Sequence, residues 1–238
     1  MHTLLLAALA IAPGTGFILY LYQKDRYDPE PLHLLFRCFI MGALSTFPVG
    51  ALEVLASNLG FRNWYSTADI ALYAFGIIAL LEEGFKYLIL RWYAFPLKSF
   101  NEPFDGIIYS IMISMGFATT ENLVYVLGAD TTASGIHIAL IRSFTAVPAH
   151  ATFAVLMGFF MGMARFSTQR SSWLFQILGL LTAIGFHGAY DFFLFAQFTP
   201  GIWGGAMVSL GIGVFLSYRA IRIHQQVSKG LQDEGRFG

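Results

Sequence analysis

The sequence predicts an all-α fold: a polytopic membrane helix bundle of about seven transmembrane helices, with the N-terminus outside and the C-terminus cytoplasmic. Three observations predict it. First, 56% of the 238 residues are hydrophobic and 12% are charged, and the mean hydropathy is +0.63; a soluble domain rarely has this balance. Second, apolar runs long enough to span a bilayer recur along the whole chain, divided by short polar loops. Third, Lys and Arg gather in alternate loops. The 24 glycines suit close helix packing in lipid. Cys38 is the only cysteine, which excludes an internal disulfide and a cysteine-based zinc site. The formal net charge is zero and there is no long basic run, so nucleic acid is not an expected partner.

The first apolar run is His2 to Tyr22. Ala10-Ile11-Ala12 mimics a signal-peptidase site, but the start lacks a Lys or Arg n-region and the apolar run continues to Tyr22. Gln23 to Pro31 is a short charged loop that reads as an interfacial linker, in which Pro29 and Pro31 disfavour helix in the residues before them. The second span is expected from about Leu32 to Leu59, kinked at Pro48. Its Glu53 is near the outer end and reads as a solvated or snorkelling acid. The third span runs from about Asp69 to Phe95 and, after a loop at Ser99 to Phe104, the fourth from about Asp105 to Leu127. A loop at Gly128 to Gly135 leads to the fifth, about His137 to Ala164, and Arg165 to Ser172 is polar. The sixth, about Trp173 to Phe198, is followed by a turn at Thr199 to Gly201 and by the seventh, about Ile202 to Ile221. This is one bundle domain over residues 1–222 with a short, frayed polar tail over 223–238, and no internal repeat.

The orientation follows from the basic residues. Lys24, Arg26 and Arg37 flank the first loop, Arg91 and Lys98 the third, Arg165 and Arg170 the fifth; Arg219, Arg222, Lys229 and Arg236 lie at the C-terminal end. The alternate loops hold only Arg62. Positive charge stays inside, so the N-terminus is placed outside, and that parity requires an odd number of spans.

A few ionisable residues interrupt the apolar framework. Leu81-Glu82-Glu83-Gly84-Phe85-Lys86 lies in a run otherwise apolar from Ile70 to Leu90. Charges at bilayer depth cost at least a few kcal/mol each and persist where they face an interior cavity and have partners there. Lys86 follows Glu82 by four residues and Glu83 by three, so it can reach either. Glu82 and Glu83 point about 100° apart, so one is expected to face the reaction and the other a structural partner. Phe117, Glu121 and Tyr125 repeat every four residues along one stripe, with Asn122 beside them. His187 and Asp191 share a helix face, and an Asp one turn from a His can fix its tautomer or share a water or metal with it. His150 lies on the fifth span with Arg142, a candidate counter-ion. From the outer ends of their spans, Glu82 lies roughly 20 Å deep, Glu121 roughly 9 Å, His187 roughly 15 Å and His150 roughly 20 Å. Four groups on four helices can therefore share one layer between the midplane and the outer face, as in a site built in a bundle core.

Such a set suits activation of water by a carboxylate and a histidine, with other polar groups stabilising an oxyanion. Gly-x-Ser-x-Gly and His-Glu-x-x-His are both absent, so neither the serine hydrolase elbow nor the usual zinc-protease motif is present. Three other readings stay open. A metal-dependent hydrolase would use His150, His187, Asp191 and a Glu as ligands. A proton-coupled transporter would carry half-repeats or paired broken helices, and the sequence shows none. A scaffold for single-span partners would use the Glu–Lys group as a structural pair.

Glu82-Glu83-x-x-Lys86, Phe117-x-x-x-Glu121-x-x-x-Tyr125, Pro148-Ala149-His150 and His187-x-x-x-Asp191, in that order on successive polar spans, resemble the PrsW family of intramembrane proteases. Asp25-Arg26-Tyr27-Asp28-Pro29-Glu30-Pro31 is similar to the family's segment after the first span. The resemblance covers about residues 16–220. The wider group includes CAAX prenyl proteases and bacteriocin-processing membrane enzymes. This chain departs from those relatives in carrying Glu121 where they have His, and Asp191 where they have Asn. The resemblance implies a glutamic-type endopeptidase of the bacterial inner membrane. Its implied substrate is a membrane protein such as a single-span anti-sigma factor, cut on the extracytoplasmic side. It implies no cofactor, with zinc as the alternative. Glu82 or Glu83 would be the general base, with His187 and His150 polarising the scissile carbonyl or relaying protons. Lys86 would tune the acids, and Glu121 and Asp191 would orient the histidines or complete the base. Phe117, Tyr125, Asn122 and Arg142 would support them.

Overall fold

The computed structural model describes residues 2–25, 27–196 and 201–234. Among the described residues the chain forms seven long helical segments, the fifth of them broken at Thr145. These are α1 (His2–Tyr22), α2 (Leu32–Phe61), α3 (residues 67–94), α4 (Pro103–Leu127), α5 (Thr132–Arg165), α6 (Gln169–Phe195) and α7 (Gly204–Asp233). Six of them are long and apolar enough to cross a membrane. The seventh, α3, matches them in length but carries Glu82, Glu83 and Lys86 in its middle. The expected spans thus appear in the expected order. Arg26, Phe198, the first residues of the turn at 199–201, and Arg236 lie outside the described residues.

The bundle is organised around α4. Every residue from Phe104 to Thr119 is buried, the pattern of a helix enclosed on all sides. Helices α1, α2 and α5 pack against it. Helices α2 and α4 meet backbone to backbone: a Cβ on Gly42 would lie 1.9 Å from the Ile113 carbonyl oxygen, and one on Gly116 2.0 Å from that of Phe39. Small residues at such crossings let transmembrane helices approach closely.

Local chemistry sets the entry to α3. Gly60 adopts φ +92°, a left-handed conformation that closes α2. Ser66 then caps α3, its hydroxyl accepting from the Asp69 backbone N–H at 3.3 Å while the Asp69 carboxylate accepts from the Ser66 N–H at 2.8 Å. This reciprocal box satisfies two otherwise unpaired donors. From Leu72 to Ala79 the helix winds in wide, π-type turns before tightening to an α-helix over Leu80–Ile89.

Helix α7 corrects the expectation of a frayed tail, since it stays helical to Asp233 instead of ending at Ile221. His224 and Ser228 are buried, and the His224 ring stacks on Phe159 at 4.4 Å. This face holds the polar extension against the bundle. At the same end the linker between α1 and α2 meets the start of α4. There burial pushes the carboxyl of Asp25 up to about 6 and that of Glu102 up to about 7, with neighbouring carboxylates adding to both shifts.

Candidate active site

The α-helical stretch Leu80–Ile89 turns Glu82, Glu83 and Lys86 into the bundle, where all three are buried. The Lys86 ammonium sits at the centre. It donates to Glu82 Oε2 at 3.1 Å and to Glu83 Oε1 at 2.8 Å, and meets His150 Nδ1 at 3.2 Å. A lysine has three donors and no acceptor, so all three are used, and His150 Nδ1 must be the accepting nitrogen. Its proton is then on Nε2, which faces Glu121 Oε2 at 3.0 Å. The tautomer of His150 is fixed from both sides.

Glu121 is held in turn. Arg142 Nη2 donates to its Oε2 at 2.7 Å, and Arg142 Nε donates to Asn122 Oδ1 at 2.5 Å. Asn122 donates to the Ala10 carbonyl at 3.3 Å, tying α1 to the site. The Tyr125 ring lies 4.5 Å from the Arg142 guanidinium, and the Phe117 ring 4.3 Å from Lys86 Nζ; both are cation–π contacts, the second fully enclosed and the first at the more exposed edge of the site. Arg142 and His150 are eight residues apart, about 12 Å along an unbroken helix. The break at Thr145 (φ −124°, ψ −76°) interrupts α5 between them, and both reach the same oxygen of Glu121.

A second arm leaves Lys86 through Glu83. His187 Nδ1 lies 2.9 Å from Glu83 Oε1, and His187 Nε2 3.4 Å from Asp191 Oδ2. Phe153 stacks on the His187 ring at 4.8 Å and 18°. The two imidazoles stand edge to face, 5.4 Å apart. The structure therefore brings Glu82, Glu83, Lys86, Phe117, Glu121, Asn122, Tyr125, Arg142, His150, His187 and Asp191 into one network contributed by α3, α4, α5 and α6. Removing one member of a buried ion pair leaves its partner uncompensated, which costs about 3–5 kcal/mol.

Two neighbours were not expected. Phe153 gave no signal, since one phenylalanine in an apolar helix looks like packing. Glu53, read from sequence as solvated, is half-buried with Oε1 enclosed and without a partner among the described residues. It was legible by the rule that singled out Glu82, an acid inside an apolar run, but its nearness to a span end hid it.

Glu82, Glu83, His150 and His187 each offer a ligand atom, all within 4.8 Å of one another. This donor set is of the kind zinc uses. Asp191 falls outside it, against the far nitrogen of His187. Lys86 engages three of the four residues, so an ion at this place competes with the ammonium for the same lone pairs. A zinc ion would sit about 2 Å from these same lone pairs, with a fixed ammonium at its side.

The fold and this buried charged centre define a class of protein: multi-pass proteases whose chemistry lies within the membrane. The pattern described as PrsW family intramembrane metalloprotease matches residues 30–219. Protease PrsW of Geobacillus kaustophilus (strain HTA426) is 36% identical over 200 residues, covering 84% of each chain. Protease PrsW of Bacillus subtilis (strain 168) is 36% identical over 188 residues, 78% of this chain and 81% of the relative. Protease PrsW of Clostridioides difficile (strain 630) is 34% identical over 193 residues, 80% and 79% of the two chains. No solved structure matches. The chain belongs to the PrsW family and is an intramembrane protease, a multi-pass membrane protein acting on a membrane-protein substrate.

Proposed function

We propose that this protease hydrolyses its substrate with water activated by glutamate, without a metal, and that Glu82 is the general base. The observation that carries this reading is the Lys86 ammonium shared among Glu82, Glu83 and His150. It supplies positive charge at the centre of the acidic pair and joins that pair to His150, while His187 is tied to the pair through Glu83. Glu83 is gripped through one oxygen by Lys86 and His187 together, which suits a positioning residue. Glu82 is gripped by Lys86 alone, which leaves it freer to take a proton.

The water oxygen attacks the scissile carbonyl carbon, its proton passing to the Glu82 carboxylate as the C–O bond forms. The negative charge on the carbonyl oxygen develops close to the fixed Lys86 ammonium, whose field stabilises it in the low-dielectric interior. Collapse breaks the C–N bond, and the proton held on Glu82 passes to the leaving amine. Glu121 with Arg142, and Asp191, keep the two imidazoles oriented. Catalysis of this type, proton transfer plus a fixed polar environment, contributes about 10²–10⁴-fold from the acid–base part alone.

The substrate class we infer is a single-span anti-sigma factor cut near its extracytoplasmic side. In support, Glu121 is six residues, about 9 Å, from the end of α4 that the charge pattern places outside. The test is proteolysis of single-span bacterial membrane proteins by the purified chain in detergent, comparing Glu82→Ala and Glu83→Ala with the parent, with and without chelator. Cleavage lost in a Glu variant and indifferent to chelator supports the reading. Cleavage abolished by chelation and restored by zinc replaces it with a metalloenzyme.

A further inference from the structure

A second group of acids lies at the other end of α4, about 24 Å from Glu121 along the helix axis. Asp25, from the linker between α1 and α2, meets Glu102 and Asp105 from the first turn of α4; each offers a carboxylate oxygen within 4.8 Å of the others. All three are essentially inaccessible to solvent. The free oxygens do not face one another by accident of a loose loop, because each Asp is anchored through its other oxygen. Asp25 Oδ2 accepts from the Glu30 N–H at 3.1 Å. Asp105 Oδ2 accepts from the N–H groups of Asn101 at 2.8 Å and Glu102 at 2.7 Å. Asp25 Oδ1 and Asp105 Oδ1 are buried with no hydrogen-bond partner among the described residues, while the buried Glu102 side chain caps the first turn of α4.

Nearby charges make the arrangement costlier. Glu30, which accepts a hydrogen bond from Tyr109, and Asp28, held by Asn101 at 2.7 Å, add two more carboxylates. No Lys or Arg among the described residues forms an ion pair with any of the five. Unpaired buried carboxylates are expensive and are found where they bind a cation or hold a proton.

We propose that Asp25, Glu102 and Asp105 bind a hard divalent cation of the calcium class, with Glu30 alongside, and that the ion braces the α1–α2 linker against the start of α4. Calcium takes oxygen ligands at 2.3–2.6 Å, so opposite ligands lie up to about 5 Å apart, which the measured spacing accommodates. The hydrogen bonds on the second oxygens of the two Asp residues are the outer contacts that hold metal-binding carboxylates in place. Gln225 of α7 donates to the Lys24 carbonyl at 2.8 Å, so the brace extends to the last helix.

The experiment titrates terbium(III) into the purified full chain in detergent, with Tyr109 as the sensitising ring, and then competes with Ca2+ and Mg2+. The expected result is saturable emission that Ca2+ displaces, weakened at least tenfold in Glu102→Gln and Asp25→Asn and unchanged in Glu82→Gln. Unfolding of the parent chain, followed in parallel, should move to higher temperature with Ca2+. Emission that does not saturate, that survives both loop variants, or that disappears in Glu82→Gln overturns the proposal. If neither loop variant folds, the parent chain decides: an unfolding midpoint that Ca2+ leaves in place overturns it too. None of these readouts depends on proteolysis, so the assignment of the catalytic base stands or falls separately.

Discussion

The two acidic groups on α4 differ in what answers their charge. Around Glu121 and the Glu82–Glu83 pair, the facing carboxylates meet fixed positive or proton-donating groups: Lys86, Arg142 and the two histidines. Around Glu102 and Asp105, oxygens point inward and no basic side chain among the described residues pairs with them. The first group carries most of its counter-charge within the fold, leaving Glu53 Oε1 and Glu83 Oε2 buried without a hydrogen-bond partner among the described residues. The second is open and asks for a partner. Buried acid alone therefore does not identify a catalytic centre; the presence of built-in counter-charge separates the two.

The largest effect that tests this contrast is at the pair itself. Glu82→Gln should lower kcat by about 10²–10⁴-fold with the helical content unchanged by circular dichroism. A residual rate near the parent value would remove Glu82 as the base. Next, Lys86→Met should destabilise the chain by about 3–5 kcal/mol, because two buried carboxylates lose their shared cation; denaturant unfolding in mixed micelles measures it. A milder loss follows at the outer contact. Arg142→Gln leaves the Glu121–His150 pair without its anchor, and cleavage should fall about tenfold, seen as a drop in kcat with KM held. At the open group, Glu102→Gln should leave cleavage in cation-free buffer within a factor of two while abolishing the Ca2+-dependent rise in unfolding temperature. The smallest change is Tyr125→Phe, which keeps the ring under Arg142 and should shift stability by less than about 0.5 kcal/mol.

Much of this was legible in the sequence. Seven spans and their order follow from apolar run lengths, since nothing else satisfies the backbone in lipid. The polar residues of the site were legible because charge at bilayer depth is too costly to be incidental. What was hidden depends on long-range placement. Lys86 meets His150, sixty-four positions away, and no local spacing announces it. The break at Thr145 did have a sequence signal, Pro148, which has no N–H for the Phe144 carbonyl and whose ring crowds it, but a proline alone does not tell a kink from a full interruption. Asp25 falls in the first linker, Glu102 in a loop and Asp105 at the start of a span, and nothing in the sequence shows that the fold buries the three together. The continuation of α7 to Asp233 was missed for the same reason: His224 and Ser228 look like the start of a tail until the surface that buries them is known.

The wide turns at Leu72–Ala79 have a consequence for which mutations the gene can carry. In a helix each residue advances the direction of its side chain by about 100°, and a π-type segment absorbs that advance locally. Glu82, Glu83 and Lys86 follow it immediately, so their heading toward His150 and His187 depends on how many residues lie upstream as well as on which ones. Removing a single in-frame codon within positions 72–79 would leave every side chain of the charged network encoded and the hydropathy of α3 nearly unchanged. It would nonetheless swing the acidic pair about a quarter-turn away from its histidines. A deletion scan across α3 should thus show a short tract intolerant to length while tolerant to apolar exchange, a spacer read by count and not by composition.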